Sequence, residues 1–237
     1  TVEQLPQGEA ISIRAFVRAG GQVSGGTWHS AIGAFSDVKQ TNGAVRTIVE
    51  SMPVRDKRSV ELLPMSLHRE SQVNAWGVPM PTIDPAIVLR SARQIDAYGP
   101  SFRYGHFAKV KTLGTALAGI AAIGTIAGLS RNDAARAKLL ELRAPGEGPT
   151  EEQRRRGFFE VDFLGESSSG KRVRTLVAGG EPGYQETSKM ISESALCLAQ
   201  DRETLPPRYG VLTTAAAMGP VLRARLQRAG MRFEVRG

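Results

Sequence analysis

Cysteine is nearly absent from this chain: Cys197 is the single one among 237 residues. An intramolecular disulfide is excluded, as is a thiol-rich metal site, and a reducing cytoplasmic setting is the default expectation. Histidine is almost as scarce, and His29, His68 and His106 stand too far apart for metal-ligand spacing. Aromatic residues make up only 6% of the chain and no zinc-finger or RNP-like motif accompanies them, so the net charge of +8 does not read as a nucleic-acid interface. The 31 basic residues are dispersed. That suits a solvated surface, or attraction for an anion such as a nucleotide phosphate, a thioester carrier or a lipid headgroup. No charged-then-apolar leader opens the sequence, so no secretory signal is read.

What is present suffices for a core. The chain is 41% hydrophobic, too apolar for low-complexity disorder. Ile11, Ile13, Ala15 and Val17 alternate with polar neighbours and predict a half-buried strand. A glycine-rich turn over residues 20–27 leads to a helix from Trp28 to about Lys39, stopped by Asn42-Gly43. A second helical run covers residues 44–51 and ends at Pro53. Residues 59–67 read as a weaker edge strand interrupted by Pro64. Asp84 is placed to cap a helix with Pro85 at its first position.

Residues 112–130 carry no charge and read as a helix, either buried, at a dimer interface, or in contact with lipid. A charged helix over residues 132–142 follows, then a Pro/Gly linker over 144–149 and a charge run over 151–156. Phe159, Val161, Phe163 and Val173, Thr175, Val177 predict a hairpin. Its turn, residues 165–172, imitates a phosphate-binding loop. Arg172 stands where Ser or Thr is required, and a strand follows instead of a helix. A helix over residues 187–200 is expected to turn Ile191, Ala195 and Leu198 inward. The last helix, near 215–229, places Met218, Leu222 and Leu226 on one side, with a kink or a start at Gly219-Pro220. The expected fold is one α+β domain over residues 1–237: a mostly antiparallel mixed sheet with helices packed on one face.

Several motifs carry chemistry. Ser24-Gly25-Gly26-Thr27 sits between a strand and a helix, where free N–H groups favour an anion. Trp28 follows at once. The alternative is a tight turn with Thr27 as the cap. Tyr184, in the loop of residues 179–188, either hydrogen-bonds a substrate or pins its loop. Arg103-Tyr104-Gly105-His106 is the richest cluster. Tyr104 or His106 can give a proton to a developing carbanion or alkoxide, and Arg90 and Arg103 can hold a carboxylate or phosphate. The plainer reading is a histidine satisfied by backbone.

Three blocks carry a family resemblance: residues 24–30 (SGGTWHS), residues 79–106 (from PMPTIDP to YGPSFRYGH) and residues 180–201 (from GEPGYQETSKM to CLAQD). In this order they resemble the saccharopine dehydrogenase-like oxidoreductases, in particular the branch of trans-acting enoyl reductases. The resemblance implies a two-part protein, with a nucleotide-binding domain for NAD(P) followed by an α+β domain that shapes the substrate site and often the dimer. This chain is similar to the second part only. The resemblance therefore implies NAD(P) in the full-length protein, none bound to this chain, a homodimer, and a small-molecule or acyl substrate. The alternative is a non-catalytic interaction or lipid-contact module working through residues 112–130, with membrane association.

Overall fold

The computed structural model describes residues 1–36, 58–80 and 82–236. The expected helix over 44–51 and its flanking stops at 42–43 and Pro53 lie outside the described residues.

Alternating apolar side chains build the centre. Strand β1 (Ile11–Gly20) pairs antiparallel with β6 (Phe158–Ser167), which pairs with β7 (Arg172–Gly179) and then β8 (Arg232–Arg236). On its other edge β1 runs parallel to β5 (Ser101–Val110), with Ile13 opposite Tyr104 and Ala15 opposite His106. The far edge of β5 is shared. β2 (Ser59–Leu62) pairs with its first half and β4 (Ala75–Pro79) with its second, while β3 (His68–Glu70) lies outside β4. The result is an eight-stranded mixed sheet, mostly antiparallel, in an α+β fold. The hairpin turn at residues 167–171 joins β6 to β7, so the loop that imitates a phosphate site is a strand connection.

Seven helices complete the described residues: α1 (Gly25–Ser36), α2 (Asp84–Gln94), α3 (Leu113–Leu129), α4 (Asp133–Glu141), α5 (Glu151–Arg156), α6 (Thr187–Gln200) and α7 (Thr214–Arg228). Leu89 and Ala92 of α2 pack on Ile11, Ile13, Phe102 and Tyr104. Cys197 of α6 and Met218, Leu222 and Leu226 of α7 pack near Phe159, Val177 and Phe233. These residues share one face of the sheet. On the opposite face Phe16 stacks on Phe107, beside Val73, Ala75 and Leu164.

That opposite face also buries charge. Asp162 is 1% exposed and bonds Lys109 Nζ at 2.5 Å and Arg174 Nη2 at 2.7 Å. Burial alone would raise its pKa, but the hydrogen bonds and charges of Lys109 and Arg174 hold the carboxyl below its usual range.

Four expectations are corrected. The inward stripe of α6 is Met190, Ser194 and Cys197, one residue out of step with the predicted Ile191, Ala195 and Leu198, which face solvent. That side of α6 faces α7, where Cys197 and Met190 pack on Met218, Leu222 and Leu226 and Arg225 bonds Glu193 and Asp201. Asp84 does not stand at the cap of α2: Ile83 holds that position, the helix begins at Asp84 itself, and Pro85 takes its second position. Ser24 rather than Thr27 caps α1, which starts at Gly25 instead of Trp28, because the Ser24 hydroxyl accepts from the Thr27 N–H at 3.1 Å. The uncharged helix α3 is not buried: of its residues Ala116 alone is.

The kink in α7 is found where expected. Gly219 adopts φ 43°, a left-handed conformation that lets Pro220 follow inside the helix.

Candidate active site

Residues two apart on a strand share a face, so β5 presents Tyr104 and His106 together toward α2 and turns Arg103 to the other side. Tyr104 is 2% exposed and His106 6%. The Tyr104 hydroxyl and His106 Nδ1 lie 3.0 Å apart, and the other ring nitrogen, Nε2, lies 3.9 Å from Asp84 Oδ2. The Asp84 carboxylate is half-exposed. A phenol, an imidazole and a carboxylate thus form a line from the core to the surface. Met80 N–H donates to the His106 carbonyl and fixes the strand beside it.

Burial sets the protonation of this line. It pushes the Tyr104 phenol far above its usual range, with Asp84 adding to the effect. Burial also lowers the His106 pKa, while the Asp84 charge acts the other way. At neutral pH the phenol keeps its proton and the imidazole is neutral. In the tautomer that carries its proton on Nε2, on the side of Asp84, the phenol donates to Nδ1. When His106 takes a second proton, Nδ1–H donates to the Tyr104 oxygen instead, and Asp84 faces the imidazolium.

The remaining predicted site residues fall elsewhere. Arg103 lines a polar cavity of about 600 Å³ on the opposite face with Ser12, Glu61, Ser101, Glu166 and Ser167. Arg90, on α2, donates from Nη2 to the Val211 carbonyl at 2.5 Å and ties down the segment before α7.

The Ser24–Trp28 turn is filled by the chain's own backbone. Gly25 N–H donates to the Glu147 carbonyl at 2.8 Å, and a Cβ at Gly25 would lie 1.9 Å from the Ala144 carbonyl oxygen. Gly26 sits beside Ser24 Oγ, and the Ser24 and Thr27 hydroxyls bond each other at 2.9 Å. Trp28 Nε1 donates to the Leu139 carbonyl and His29 Nε2 to that of Arg143, so both side chains serve the end of α4.

Tyr184 lies against Gly148, where a Cβ would come within 2.6 Å of its hydroxyl. Two of the three sequence blocks therefore meet at residues 144–149, which form a packed joint. The joint sits at the end of the sheet where β1 and β7 finish, and Ala15, opposite His106, is five residues before that end of β1, roughly 16 Å along the strand. The loop before α6 is held by Glu181, which is buried and accepts from the N–H groups of Gly183, Tyr184 and Gln185.

Asp84 is the site residue that sequence reading missed. Its place as a helix-capping type before a proline hid it. It lies 22 positions from His106 in sequence, so only the pairing of β4 beside β5 brings the two together.

No family model matches the chain, and no solved structure matches it. Among curated proteins, one from Mycobacterium tuberculosis strain H37Rv, provisionally named a trans-acting enoyl reductase, is 31% identical over 252 residues, covering 96% of this chain and 60% of its own length. The trans-acting enoyl reductases of Mycobacterium bovis strain BCG and Mycobacterium ulcerans are 36% identical over 154 residues, covering 61% of this chain and 37% of theirs. The chain thus spans about 60% of the length of the first of these relatives. Along nearly its whole length this chain is homologous to a protein provisionally named a trans-acting enoyl reductase, and along 61% of it to others that carry the name.

Proposed function

We propose that this chain is the substrate-binding and dimerisation part of an NAD(P)-dependent oxidoreductase of the saccharopine dehydrogenase-like kind, one that reduces an enoyl group on an acyl chain. The observation that carries the reading is the Tyr104–His106–Asp84 line, present in a chain whose relatives carry the enoyl reductase name. Reducing a conjugated enoyl double bond adds a hydride at one carbon and a proton at the next. The proton is what the described residues can supply.

In this reading His106 is the acid. Its Nε2 faces the half-exposed Asp84 carboxylate, and as imidazolium it donates that proton to the carbanion formed next to the carbonyl, returning to neutral imidazole. A lowered pKa makes the imidazolium a stronger acid. Asp84 offsets part of the cost of charging it, and the buried Tyr104 oxygen accepts from Nδ1–H and fixes the ring. Tyr104 is a positioning residue here, since at 2% exposure it lies behind His106.

The two glycine loops do not fit a dinucleotide. The turn before α1 is filled by the Ala144 and Glu147 carbonyls, and the N–H groups of the loop before α6 are taken by Glu181. The proposal accordingly places the nicotinamide on residues outside this chain.

The test is a titration with NADPH, followed by cofactor fluorescence, of this chain and of a longer protein carrying it with its upstream sequence. Binding by the longer protein alone is expected. Binding by neither, or by this chain alone, refutes the division of labour.

A further inference from the structure

Helix α3 (Leu113–Leu129) is seventeen residues long and carries no charge, yet almost all of it faces outward. Leu113, Leu117 and Ile120 are each at least 40% exposed. Their spacing of four and three puts them on one ridge of the helix, with Gly124 and Gly128 continuing the same strip. Ala116 and the half-buried Ile126 and Ala127 hold the helix to the body. A contiguous apolar ridge of this size on a folded chain marks a contact surface.

The charges around it select the partner. Between Lys109 and Asp133 there is no carboxylate. Lys111 precedes the helix and Arg131 follows it, both exposed, and neither side chain has an ion-pair partner among the described residues. Lys109, the next cation, is already held by Asp162. A second copy docking by two-fold symmetry, helix antiparallel to helix, would set Lys111 of one against Arg131 of the other with no acid between them. An anionic surface meets no such conflict. By itself the helix is short for a span: at ~1.5 Å per residue it is roughly 25 Å long. No single helix among the described residues is long and apolar enough to cross a membrane, and the chain turns by 119° between α3 and α4.

We infer that α3 lies flat on an anionic lipid surface, with Leu113, Leu117 and Ile120 in the acyl boundary and Lys111 and Arg131 on the headgroups. This inference is independent of the reductase reading. It rests on the exposed ridge and its flanking cations.

The experiment is vesicle flotation of the full chain. One set of vesicles is phosphatidylcholine with about a third phosphatidylglycerol, and the other is phosphatidylcholine alone. The chain should float with the anionic vesicles and release in high salt. Leu117→Ser with Ile120→Ser should weaken retention by at least ~10-fold, with an unchanged circular dichroism spectrum, because both residues are exposed. Lys111→Gln with Arg131→Gln should weaken it by about 10-fold, while Arg155→Gln with Arg156→Gln, on α5, should leave it unchanged. If the unmutated chain stays with the soluble fraction, the inference is overturned. Equal retention by both lipid mixtures, or equal losses in the α5 control, also overturns it. A concentration-dependent dimer that Leu117→Ser with Ile120→Ser dissociates, with no vesicle retention, assigns the ridge to a second copy instead.

Discussion

Replacing Tyr104 with Phe removes one oxygen from the core, and the structure says what that oxygen does. It is the partner of His106 Nδ1 at 3.0 Å, in surroundings where the two residues are 2% and 6% exposed. The variant keeps the ring packing against Phe102 and loses the bond, so a buried ring nitrogen goes unpaired. An orphaned buried polar group costs about 1–3 kcal/mol. His106→Leu costs a similar amount by orphaning the phenol. The double variant has no orphan, so its cost should fall short of the sum of the single costs by about 1 kcal/mol or more. Urea unfolding of all four proteins at pH 7.5 measures this coupling. Additive costs would mean that the pair is not a bonded unit.

The same proteins test the protonation argument. Because burial lowers the folded pKa of His106, the unfolded chain binds the extra proton first. Stability linked to His106 is therefore complete above the ordinary histidine range of about 6.5 and is lost as pH falls through the lower folded value. His106→Leu should show a flatter stability profile across that window. An equal slope in the two proteins would contradict the burial argument.

Other parts of the structure give independent tests. Asp162→Asn leaves Lys109 and Arg174 without their buried counter-charge and should cost about 3–5 kcal/mol at neutral pH by urea unfolding. The Asp162 carboxyl is held below its usual range, so the difference from the unmutated chain should persist above about pH 4 and shrink as pH falls through the lower folded value. Gly25→Ala puts a methyl 1.9 Å from the Ala144 carbonyl oxygen, so residues 144–147 should lift away and be cut faster in limited proteolysis. Trp28→Phe loses the bond from Nε1 to Leu139 at 2.6 Å and should cost about 1 kcal/mol in urea unfolding.

Local patterns carried much of the fold. The alternation in β1, β6 and β7 and the Gly219-Pro220 kink were legible because each depends on near neighbours. Strand β5 was not legible. Its Arg103-Tyr104-Gly105-His106 run reads as functional chemistry, and a central strand bordered on both sides needs no polar alternation. β3 and β4 are three and five residues long, too short to announce a period. The α6 stripe was misread because the leucines and isoleucines lie one position off the buried face; the tertiary packing of Met190 and Cys197 on α7, with the Arg225 ion pairs beside it, marks which side turns in.

The site shows the same division. Tyr104 and His106 stood out in sequence as one cluster, but that they share a face follows only from β5 being a strand. Arg103 and the Ser24–Thr27 turn could not be separated from them without the sheet. Asp84 needed the tertiary pairing of β4 with β5.

The most direct test of the central claim is the pH dependence of NADPH-driven reduction of an enoyl thioester by a longer protein carrying this chain, with and without His106→Gln. The account predicts that kcat/KM of the unmutated protein declines as pH rises through a value below the ordinary histidine range. It predicts that His106→Gln lowers kcat at least ~100-fold and removes that decline. Unchanged turnover, or an unchanged pH profile in the variant, would take His106 out of the mechanism and the Tyr104–His106–Asp84 line with it.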